Sequence, residues 1–460
     1  MIHFQEINNV LKASNDLVIV ANECEIVETI FKALKTDIAD FKDENFSTVY
    51  ALNNLSAKRV HVIGQNKLSS DDDFEKVVKS LVGLKEDVII LTESFSEEEQ
   101  NRILDLTEKI ITERYVIDTF KSKKSSEQSL FYFSGDKTVK TAIDEGLIYG
   151  ETINQAKDLV NTPYNYMRAK DLADHAKTLE KYDGVCVKIF ERKEIEAMNM
   201  GAYLGVNKGS VDEPYLIFIK YKAENNTDEP TALVGKGVMF DTGGYSLKTP
   251  TSMPGMKFDM AGSASVIAAI EGIARLQLDT HVFVVVAATD NRIGDNAIVP
   301  DDILTSANGK TIEIISTDAE GRLTLADAVW FAQKEGAKKI IDVATLTGAA
   351  MAALGTYYSA AFTNNQDFLE SFKKVTEKTR ENIWQMPVSK EHHEELKSKV
   401  ADIKNKGKRL AGASTAAAFI EEFIDDDTQW IHLDIAGTAN DKKIGSTGVM
   451  VKSFMRFFQN

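Results

Sequence analysis

Short aliphatic and β-branched runs alternate with charged stretches along the first third of the chain. Three of these runs, 16–21, 59–63 and 87–91, have the length and composition of strands, and 129–134 is a fourth candidate. Between the first two, 26–37 carries apolar residues at helical spacing. This alternation predicts a small α/β domain with a parallel sheet.

A longer helical pattern follows at 139–160 and ends at Asn161-Thr162-Pro163, where proline cannot continue the helix. The polar stretch 121–128 before it is predicted to cross the surface. These patterns predict an N-terminal α/β domain at 1–135, a linking helix at 136–163 and a larger C-terminal domain at 164–460.

The larger part is again α/β. Its predicted strands are 231–240, 281–288, 311–316 and 339–344, and its predicted helices are 260–276, 323–334 and 415–424. Asn308-Gly309 between two β-rich runs is typical of a hairpin turn. We therefore expect an α/β fold of two domains, the second with a mixed central sheet flanked by helices.

Composition narrows the class of protein. The chain has 460 residues, 54 Lys and Arg against 70 Asp and Glu, and a net charge of −16, which disfavours nucleic acid as a partner. The purest apolar run, 282–288, is too short to span a bilayer, and the N-terminus shows no signal peptide. These features predict a cytoplasmic protein with no membrane partner.

Several familiar sites are disfavoured by what the sequence lacks. Cys24 and Cys186 form no clustered pattern, so neither a disulfide framework nor a thiolate zinc site is expected, and both are predicted to be small buried side chains. HExxH, GxSxG, phosphate-loop and GxGxxG motifs do not occur. The pair His392-His393 is predicted to lie on a solvated helix face.

Carboxylates gather where predicted strands end. The strand at 231–240 runs into Asp241, and the strand at 311–316 runs into Asp318 and Glu320 before a helix. Asp259 begins a helix whose first turn is mostly small residues. Ligand sites of open α/β sheets collect at the carboxyl ends of strands. Taken singly, each acid could equally be a helix cap or a solvated turn.

The joint pattern favours a metal site. Lys236, Lys248 and Arg322 lie near these acids in sequence, and four carboxylates brought together would repel one another unless a cation neutralised them. Oxygen ligands with few histidines suit Zn²⁺, Mn²⁺ or Mg²⁺. A two-metal hydrolase is therefore plausible from the chemistry alone.

At these residues the chain closely resembles the leucyl (cytosol) aminopeptidase family of dizinc exopeptidases. The matching blocks, in chain order, are NTP at 161–163, VGKGVMFDTGG at 234–244, MKFDM at 256–260, TDAEGRL at 317–323, ATLTG at 344–348 and HLDIAG at 432–437. The resemblance covers about 160 to the C-terminus and implies an aminopeptidase that removes N-terminal residues from peptides.

The resemblance also implies a ligand set for two divalent cations, Zn²⁺ or Mn²⁺. Lys236 and Asp259 would bind one metal, Asp318 the other, and Asp241 and Glu320 would bridge them. Lys236 must then be neutral, which a dication can bring about. A water bridging the metals would attack the peptide carbonyl as hydroxide, and one metal would hold the substrate's free α-amine.

The same resemblance assigns two catalytic residues and a pocket. Lys248 would stabilise the oxyanion, and Arg322, near a helix N-terminus, would hold a bicarbonate that acts as the general base. Met256, Thr345, Gly348 and Ala436 would line the pocket for the first side chain, whose apolar character suggests Leu or Met. The family also implies a homohexamer.

Three positions depart from the family pattern, and two other functions stay open. Ser316 replaces Asn, Ala261 replaces a frequent Gly, and Asp290-Asn291 replaces Glu-Asn, but none of these is a ligand position. A dimetal site could instead act on other substrates, such as a Cys-Gly dipeptide or a phosphoester. A regulatory DNA-binding role could accompany or replace catalysis, although the acidic charge argues against it.

Overall fold

The computed structural model describes residues 1–5, 10–125 and 128–459. The chain forms two compact units, Met1–Glu151 and Thr152–Asn460, and the division falls within one long helix, Lys137–Asn161. Each unit combines helices with a sheet, so the expected α/β class with a smaller first domain is confirmed.

The first unit is built on a six-stranded sheet in the order β1-β6-β5-β2-β4-β3. Its strands are β1 (Ile2–Phe4), β2 (Asp16–Val20), β3 (Ser47–Tyr50), β4 (Arg59–Ile63), β5 (Val88–Leu91) and β6 (Phe131–Ser134). Its helices are α1 (Glu25–Leu34), α2 (Asp71–Val82), α3 (Glu97–Gln100), α4 (Ile103–Glu113) and α5 (Lys137–Asn161). Short 3₁₀ turns lie at Val10–Lys12, Ile38–Phe41 and Thr92–Ser94.

The central strands of this sheet are the apolar runs that the sequence predicts. β2 and β5 are buried along their whole length, because helices cover both faces of a parallel sheet. The neighbouring strands run parallel, except that β3 pairs antiparallel with β4 at one edge. β3 was not predicted, since it alternates half-buried and exposed residues and lacks an apolar run.

The second unit contains the remaining elements. Its strands are β7 (Val185–Phe190), β8 (Tyr215–Lys222), β9 (Thr231–Asp241), β10 (His281–Asn291), β11 (Ile303–Thr305), β12 (Thr311–Glu313), β13 (Lys339–Ala344), β14 (Ser359–Thr363), β15 (Ile383–Gln385), β16 (Ile403–Lys404), β17 (Gln429–Asp434), β18 (Asn440–Asp441) and β19 (Gly445–Ser446). Its helices are α6 (Ala169–Lys177), α7 (Arg192–Ala197), α8 (Gly201–Asn207), α9 (Ala261–Arg275), α10 (Gly321–Lys334), α11 (Gly348–Leu354), α12 (Gln366–Thr379), α13 (Lys390–Glu395), α14 (Gly412–Glu421) and α15 (Val451–Gln459). Further 3₁₀ turns lie at Tyr164–Tyr166, Thr178–Lys181 and Met256–Phe258.

An eight-stranded mixed sheet in the order β15-β14-β17-β13-β9-β10-β8-β7 forms its centre. The four middle strands, β17, β13, β9 and β10, run parallel, so their carboxyl ends meet at one edge. β8 and β14 pair antiparallel at the flanks. The middle of the sheet therefore has a single edge at which ligand-binding loops can converge.

Buried helices cover this sheet. α9 is buried from Ala261 to Ala274, because it packs against β9, β10 and β13 of the sheet and against the helix α15. α10 is buried over its first nine residues and contacts β9, β10 and β13. These two helices lead away from the loops at the carboxyl edge of the sheet.

The predicted strand at 311–316 is too long. β12 ends at Glu313 and belongs to a separate three-stranded sheet, β11-β12-β16, so residues 314–320 form a loop. The predicted turn at Asn308-Gly309 is confirmed, since it joins the antiparallel strands β11 and β12 and Gly309 has φ +88°.

The expectations for the cysteines and the histidine pair are partly wrong. Cys186 is exposed because it lies on the outward side of the edge strand β7, and Cys24 is half-buried just before α1; both are free. His393 is half-buried, with its ring nitrogens 2.8 Å and 3.0 Å from carboxylate oxygens of Glu422 and Glu421. In the polar stretch 121–128, residues 121–125 and 128 are exposed, while 126 and 127 lie outside the described residues.

Candidate active site

β9 supplies two of the predicted residues. Lys236 lies in the middle of the strand and Asp241 is its last residue, and both are buried. The chain then turns sharply at Gly243 and Gly244, whose φ angles of +84° and +61° favour glycine. A Cβ on Gly243 would lie 2.8 Å from the Asp318 carboxylate, so this turn and the loop after β12 approach closely.

Lys236 lies at the centre of a buried ion-pair cluster. Its Nζ lies 2.7 Å from Asp259 Oδ2 and 2.9 Å from Glu320 Oε1. It also donates hydrogen bonds to Asp259 Oδ1 and to the Thr345 carbonyl. The Thr345 hydroxyl donates to the same Asp259 oxygen at 2.8 Å. The residues before α9 and α10 and the residue after β13 therefore meet around one amine from β9.

Lys248 forms a second set of ion pairs beside the Lys236 cluster. Its Nζ lies 2.7 Å from Asp241 Oδ2 and 2.6 Å from Asp318 Oδ1. The Lys248 side chain is 16% exposed and the Asp318 side chain 36%, so this pair lies toward solvent, whereas Lys236 is enclosed. The structure thus brings together all five predicted ligand residues and Lys248.

The local structure around Asp259 differs from the prediction, whereas that around Glu320 agrees with it. Asp259 does not begin α9: it follows the 3₁₀ turn Met256–Phe258, and Met260 precedes the first helical residue, Ala261. Glu320 immediately precedes α10. Asp259 therefore holds Lys236 instead of capping a helix, and the preceding turn aims its carboxylate at the amine.

Electrostatic interactions keep both lysines charged in this arrangement. Burial alone lowers the pKa of Lys236, but the carboxylates of Asp259, Glu320 and Asp241 outweigh it and raise that pKa above its usual range. Burial likewise lowers the pKa of Lys248, and Asp241 and Glu320 more than reverse this effect. Both amines are ammonium ions at neutral pH in the arrangement shown.

The two lysines do not fully neutralise the four carboxylates of the site. Burial and repulsion from Glu320 raise the pKa of Asp241 to about 6, in spite of the two lysines. Burial also raises the pKa values of Asp259 and Asp318. Only Glu320 has a lowered pKa, because Lys236 and Lys248 together overcome the effect of burial. Four carboxylates share two ammonium groups, which leaves an excess of negative charge.

This donor set fits divalent cations. One oxygen each from Asp241, Asp259 and Glu320 lie within 4.8 Å of one another, and all three residues are buried. Asp259 Oδ2 makes no hydrogen bond, although the Lys236 ammonium lies 2.7 Å away. A buried oxygen in poor hydrogen-bond geometry beside uncompensated carboxylates is a suitable ligand for a hard cation. The amine of Lys236 could join this set only after losing its proton.

Arg322 lies in the first turn of α10, as predicted, and is 7% exposed. Burial lowers the pKa of its guanidinium to about 10, against the effect of Glu320, Asp434 and Asp318. Nη1 donates to the Asn405 carbonyl at 3.0 Å, and Nε is buried without a hydrogen-bond partner. A guanidinium with a spare donor beside a helix N-terminus is a suitable partner for an anion.

Asp434, at the end of β17, holds the chain between the predicted pocket residues Thr345 and Gly348 and also bonds Ala436. Its carboxylate accepts hydrogen bonds from the backbone of Leu346 and Ala436 and from the Thr347 hydroxyl. The segment from Thr345 to Gly348 is thus held to Ala436. Gly348 is exposed and a Cβ there would meet no atom within 4 Å, so space is open in front of it. Met256 is half-buried in the turn before Asp259.

The structure adds two asparagines that the sequence did not single out as site residues. Asn291, at the end of β10, donates to Asp241 Oδ1 at 2.8 Å and to the Thr317 carbonyl at 3.0 Å. Asn405 holds the loop 314–320 through its side chain. The available signal for Asn291 was a polar residue at the carboxyl end of a long apolar strand, where the ligand sites of such folds collect. Asn405 follows a strand of only two residues, which carries no such signal.

A comparison with protein families agrees with this geometry. The model of the cytosol aminopeptidase family, catalytic domain, matches residues 154–455, which is more than half of the chain. The chain belongs to the cytosol aminopeptidase family. The resemblance read from the motifs is thereby confirmed, and membership of this family supports metal-dependent aminopeptidase activity.

The cytosol aminopeptidase family match covers nearly all of the second unit, Thr152–Asn460. Every predicted site residue lies within the matched segment. Within the part of the chain that the structure describes, the helices include none long and apolar enough to cross a membrane.

Proposed function

We propose that this protein removes N-terminal residues from peptides, with a preference for Leu or Met. The observation that carries the proposal is the buried cluster of Asp241, Asp259 and Glu320 around the Lys236 amine, within the family's catalytic domain. Buried carboxylates in excess over ammonium groups call for a cation, and an aminopeptidase needs one to act on an unreactive amide.

Two divalent cations, Zn²⁺ or Mn²⁺, are proposed for this cluster. The residues that would hold them are Lys236, Asp241, Asp259, Asp318 and Glu320. Bound cations would polarise the peptide carbonyl and lower the pKa of water. Lys236 would contribute its neutral amine, so binding of the metals would release a proton from the ammonium form.

Lys248 is proposed to stabilise negative charge on the carbonyl oxygen. Its ammonium stays protonated because the neighbouring carboxylates raise its pKa, and it lies on the solvent side of the cluster, where a substrate carbonyl can approach it. Arg322 is proposed to hold a bicarbonate through the guanidinium edge that lacks a protein acceptor. The anion would accept a proton there, since the cluster contains no histidine.

The proposed preference for Leu or Met rests on the pocket residues. Met256 supplies an adaptable apolar side chain, Gly348 leaves open space, and Ala436 is small. The carboxylate cluster lies next to Thr345, whose hydroxyl contacts Asp259 and whose carbonyl contacts Lys236. A substrate with its side chain in this pocket would therefore place its α-amine near the acids.

The first test is hydrolysis of leucine p-nitroanilide, with Mn²⁺ or Zn²⁺ added, against the N-acetylated compound. We expect cleavage of the free-amine substrate only, and loss of cleavage with a chelator. Glu320→Ala should lose bound metal and activity together, while Glu335→Ala, an exposed change just past the other end of α10, should retain both. Cleavage of both substrates, or full turnover in Glu320→Ala, would contradict the proposal.

A further inference from the structure

Asn405 connects two parts of the site that are far apart in sequence. It follows β16, which pairs in parallel with β12, and its backbone N–H donates to the Glu313 carbonyl at 2.9 Å. Glu313 is the last residue of β12, directly before the loop 314–320. Asn405 is therefore fixed to the start of the loop that carries Asp318 and Glu320.

The amide of Asn405 then holds the loop itself. Oδ1 accepts from the backbone N–H of Ile315 at 2.8 Å and of Ser316 at 3.3 Å. Nδ2 donates to the carbonyl of Ser316 at 2.7 Å and, more weakly, to that of Ala319 at 3.4 Å. Asn405 is completely buried, so water cannot replace these bonds.

The backbone of the same residue holds the arginine. Its carbonyl oxygen accepts from Arg322 Nη1 at 3.0 Å, while Arg322 Nε is buried without a partner. One residue thus fixes the loop that carries Asp318 and Glu320, and also one nitrogen of the guanidinium that follows. The bonds at Ser316 use only its backbone, so they do not depend on the Asn that the family usually has there.

We propose that Asn405 is a positioning residue of the active site, which sets the distance between the carboxylates of the loop 314–320 and the Arg322 guanidinium. This inference rests on the proposed function, in which Asp318 and Glu320 bind metal and Arg322 binds an anion. Asn405 belongs neither to the proposed metal ligands nor to the pocket residues and acts through these three side chains.

The asparagine amide matches both kinds of partner in the loop. The loop presents N–H donors to one side of the amide and carbonyl acceptors to the other. An aspartate has the same size but offers no donor, so it would face the Ser316 and Ala319 carbonyls with a negative charge. An alanine would leave the buried backbone groups of the loop without partners.

The test compares Asn405→Asp with the wild type in Mn²⁺ binding, by calorimetric titration of the metal-free, full-length protein. We expect the affinity to fall roughly ten- to a hundredfold, as for other residues that orient metal ligands. At saturating Mn²⁺, we expect kcat for leucine p-nitroanilide to fall by a larger factor than KM changes. Hydrogen exchange at 314–320 should become faster in the variant.

Asn226→Asp is the matched control. Asn226 is also buried in the second unit, and its amide bonds the Asp228 N–H and the Asp279 carbonyl, at the end of the sheet where β9 and β10 begin. The same chemical change there should lower thermal stability but leave Mn²⁺ affinity within about twofold of the wild type. Asn405→Ser, whose hydroxyl both donates and accepts, supplies a second variant if Asn405→Asp does not fold, and should lose an intermediate part of the affinity.

The inference is overturned if folded Asn405 variants bind Mn²⁺ as the wild type does, or if Asn226→Asp loses affinity to the same extent. If the wild type itself binds no divalent cation, the proposed metal site fails. Hydrogen exchange then still decides whether Asn405 holds the loop: unchanged exchange at 314–320 overturns the inference, and faster exchange supports it.

Discussion

Close packing of neighbouring atoms, as well as charge, restricts which residue types fit in the site. A Cβ on Gly321 would lie 2.4 Å from Lys236 Cε and 2.7 Å from its Nζ, and a Cβ on Gly262 would lie 3.1 Å from the Lys236 backbone nitrogen. Lys236 is therefore enclosed by backbone on the sides where carboxylates do not hold it. Its position leaves room for no additional methyl group.

Gly321→Ala tests this enclosure. Alanine favours helices by about 1 kcal/mol over glycine, so any loss must come from displacement of Lys236. We expect Mn²⁺ affinity and kcat/KM to fall at least tenfold while the protein remains folded. Gly83→Ala is the control, because φ there is −72° and a Cβ would approach no atom closer than 3.3 Å. Unchanged metal affinity in Gly321→Ala would show that Lys236 is not held in this way.

Gly348→Leu tests the proposed pocket. A side chain there meets no protein atom within 4 Å of its Cβ, so we expect the fold to be retained and the open space to be filled. kcat/KM for leucine p-nitroanilide should fall about tenfold or more, and that for the alanine compound should fall less. Equal losses for both substrates would place the first side chain elsewhere.

At the scale of elements, α10 joins the site to the body of the second unit. Its first turn carries Arg322, and one turn later Asp327 anchors the helix: its two carboxylate oxygens accept from the backbone N–H groups of Tyr203 and Ala307, each at 2.8 Å. Burial raises the pKa of Asp327 to about 7, although these N–H groups lower it in part. The charge of this carboxyl is therefore costly at alkaline pH.

The raised pKa of Asp327 predicts the direction in which stability changes with pH. The stabilisation that depends on the protonated form is fully present below the usual pKa of 3.8 and is lost as pH rises through about 7. We expect the wild type to exceed Asp327→Asn in free energy of unfolding by more at pH 5 than at pH 8. Urea unfolding at both pH values checks this. Asp367→Asn, an exposed change in α12, is the control for the same substitution outside the buried site.

At the scale of the whole molecule, the net charge of −16 includes the four site carboxylates, so cations that neutralise these acids should stabilise the fold. Binding to the native state alone adds about 2.7 kcal/mol at a free metal concentration one hundred times Kd. We expect Mn²⁺ to raise the unfolding temperature of the metal-free protein in calorimetry, and Glu320→Ala to abolish the rise. An equal rise in that variant would place the metal elsewhere.

Assembly belongs to the same scale. The homohexamer and the cytoplasmic location implied by the sequence stay predictions. A light-scattering mass of a monomer at micromolar concentration would contradict the hexamer.

The sequence by itself determined the α/β class, the main apolar strands and the family. Strands such as β5 and β10 are continuous apolar runs, because both of their faces are buried. Such runs can be recognised in the sequence. The motif blocks named the residues of the carboxylate cluster, because metal chemistry restricts the residue types at those positions. Edge strands such as β3 and β7 escaped prediction, since a strand with one exposed face carries a weaker pattern. The buried strands β8 and β17 were also not predicted, so burial alone did not make every strand recognisable.

Only the tertiary structure decided how the site is supported. The sequence allowed Asp259 to be a helix cap, but in the structure it holds Lys236. Asp318 lies in a loop that follows a strand of the separate three-stranded sheet, not a strand of the central sheet. Asn405 lies more than eighty residues from the loop that it bonds. Such contacts depend on which strands pair across the fold. That pairing is determined by the energy of the whole packed chain and not by any local sequence pattern.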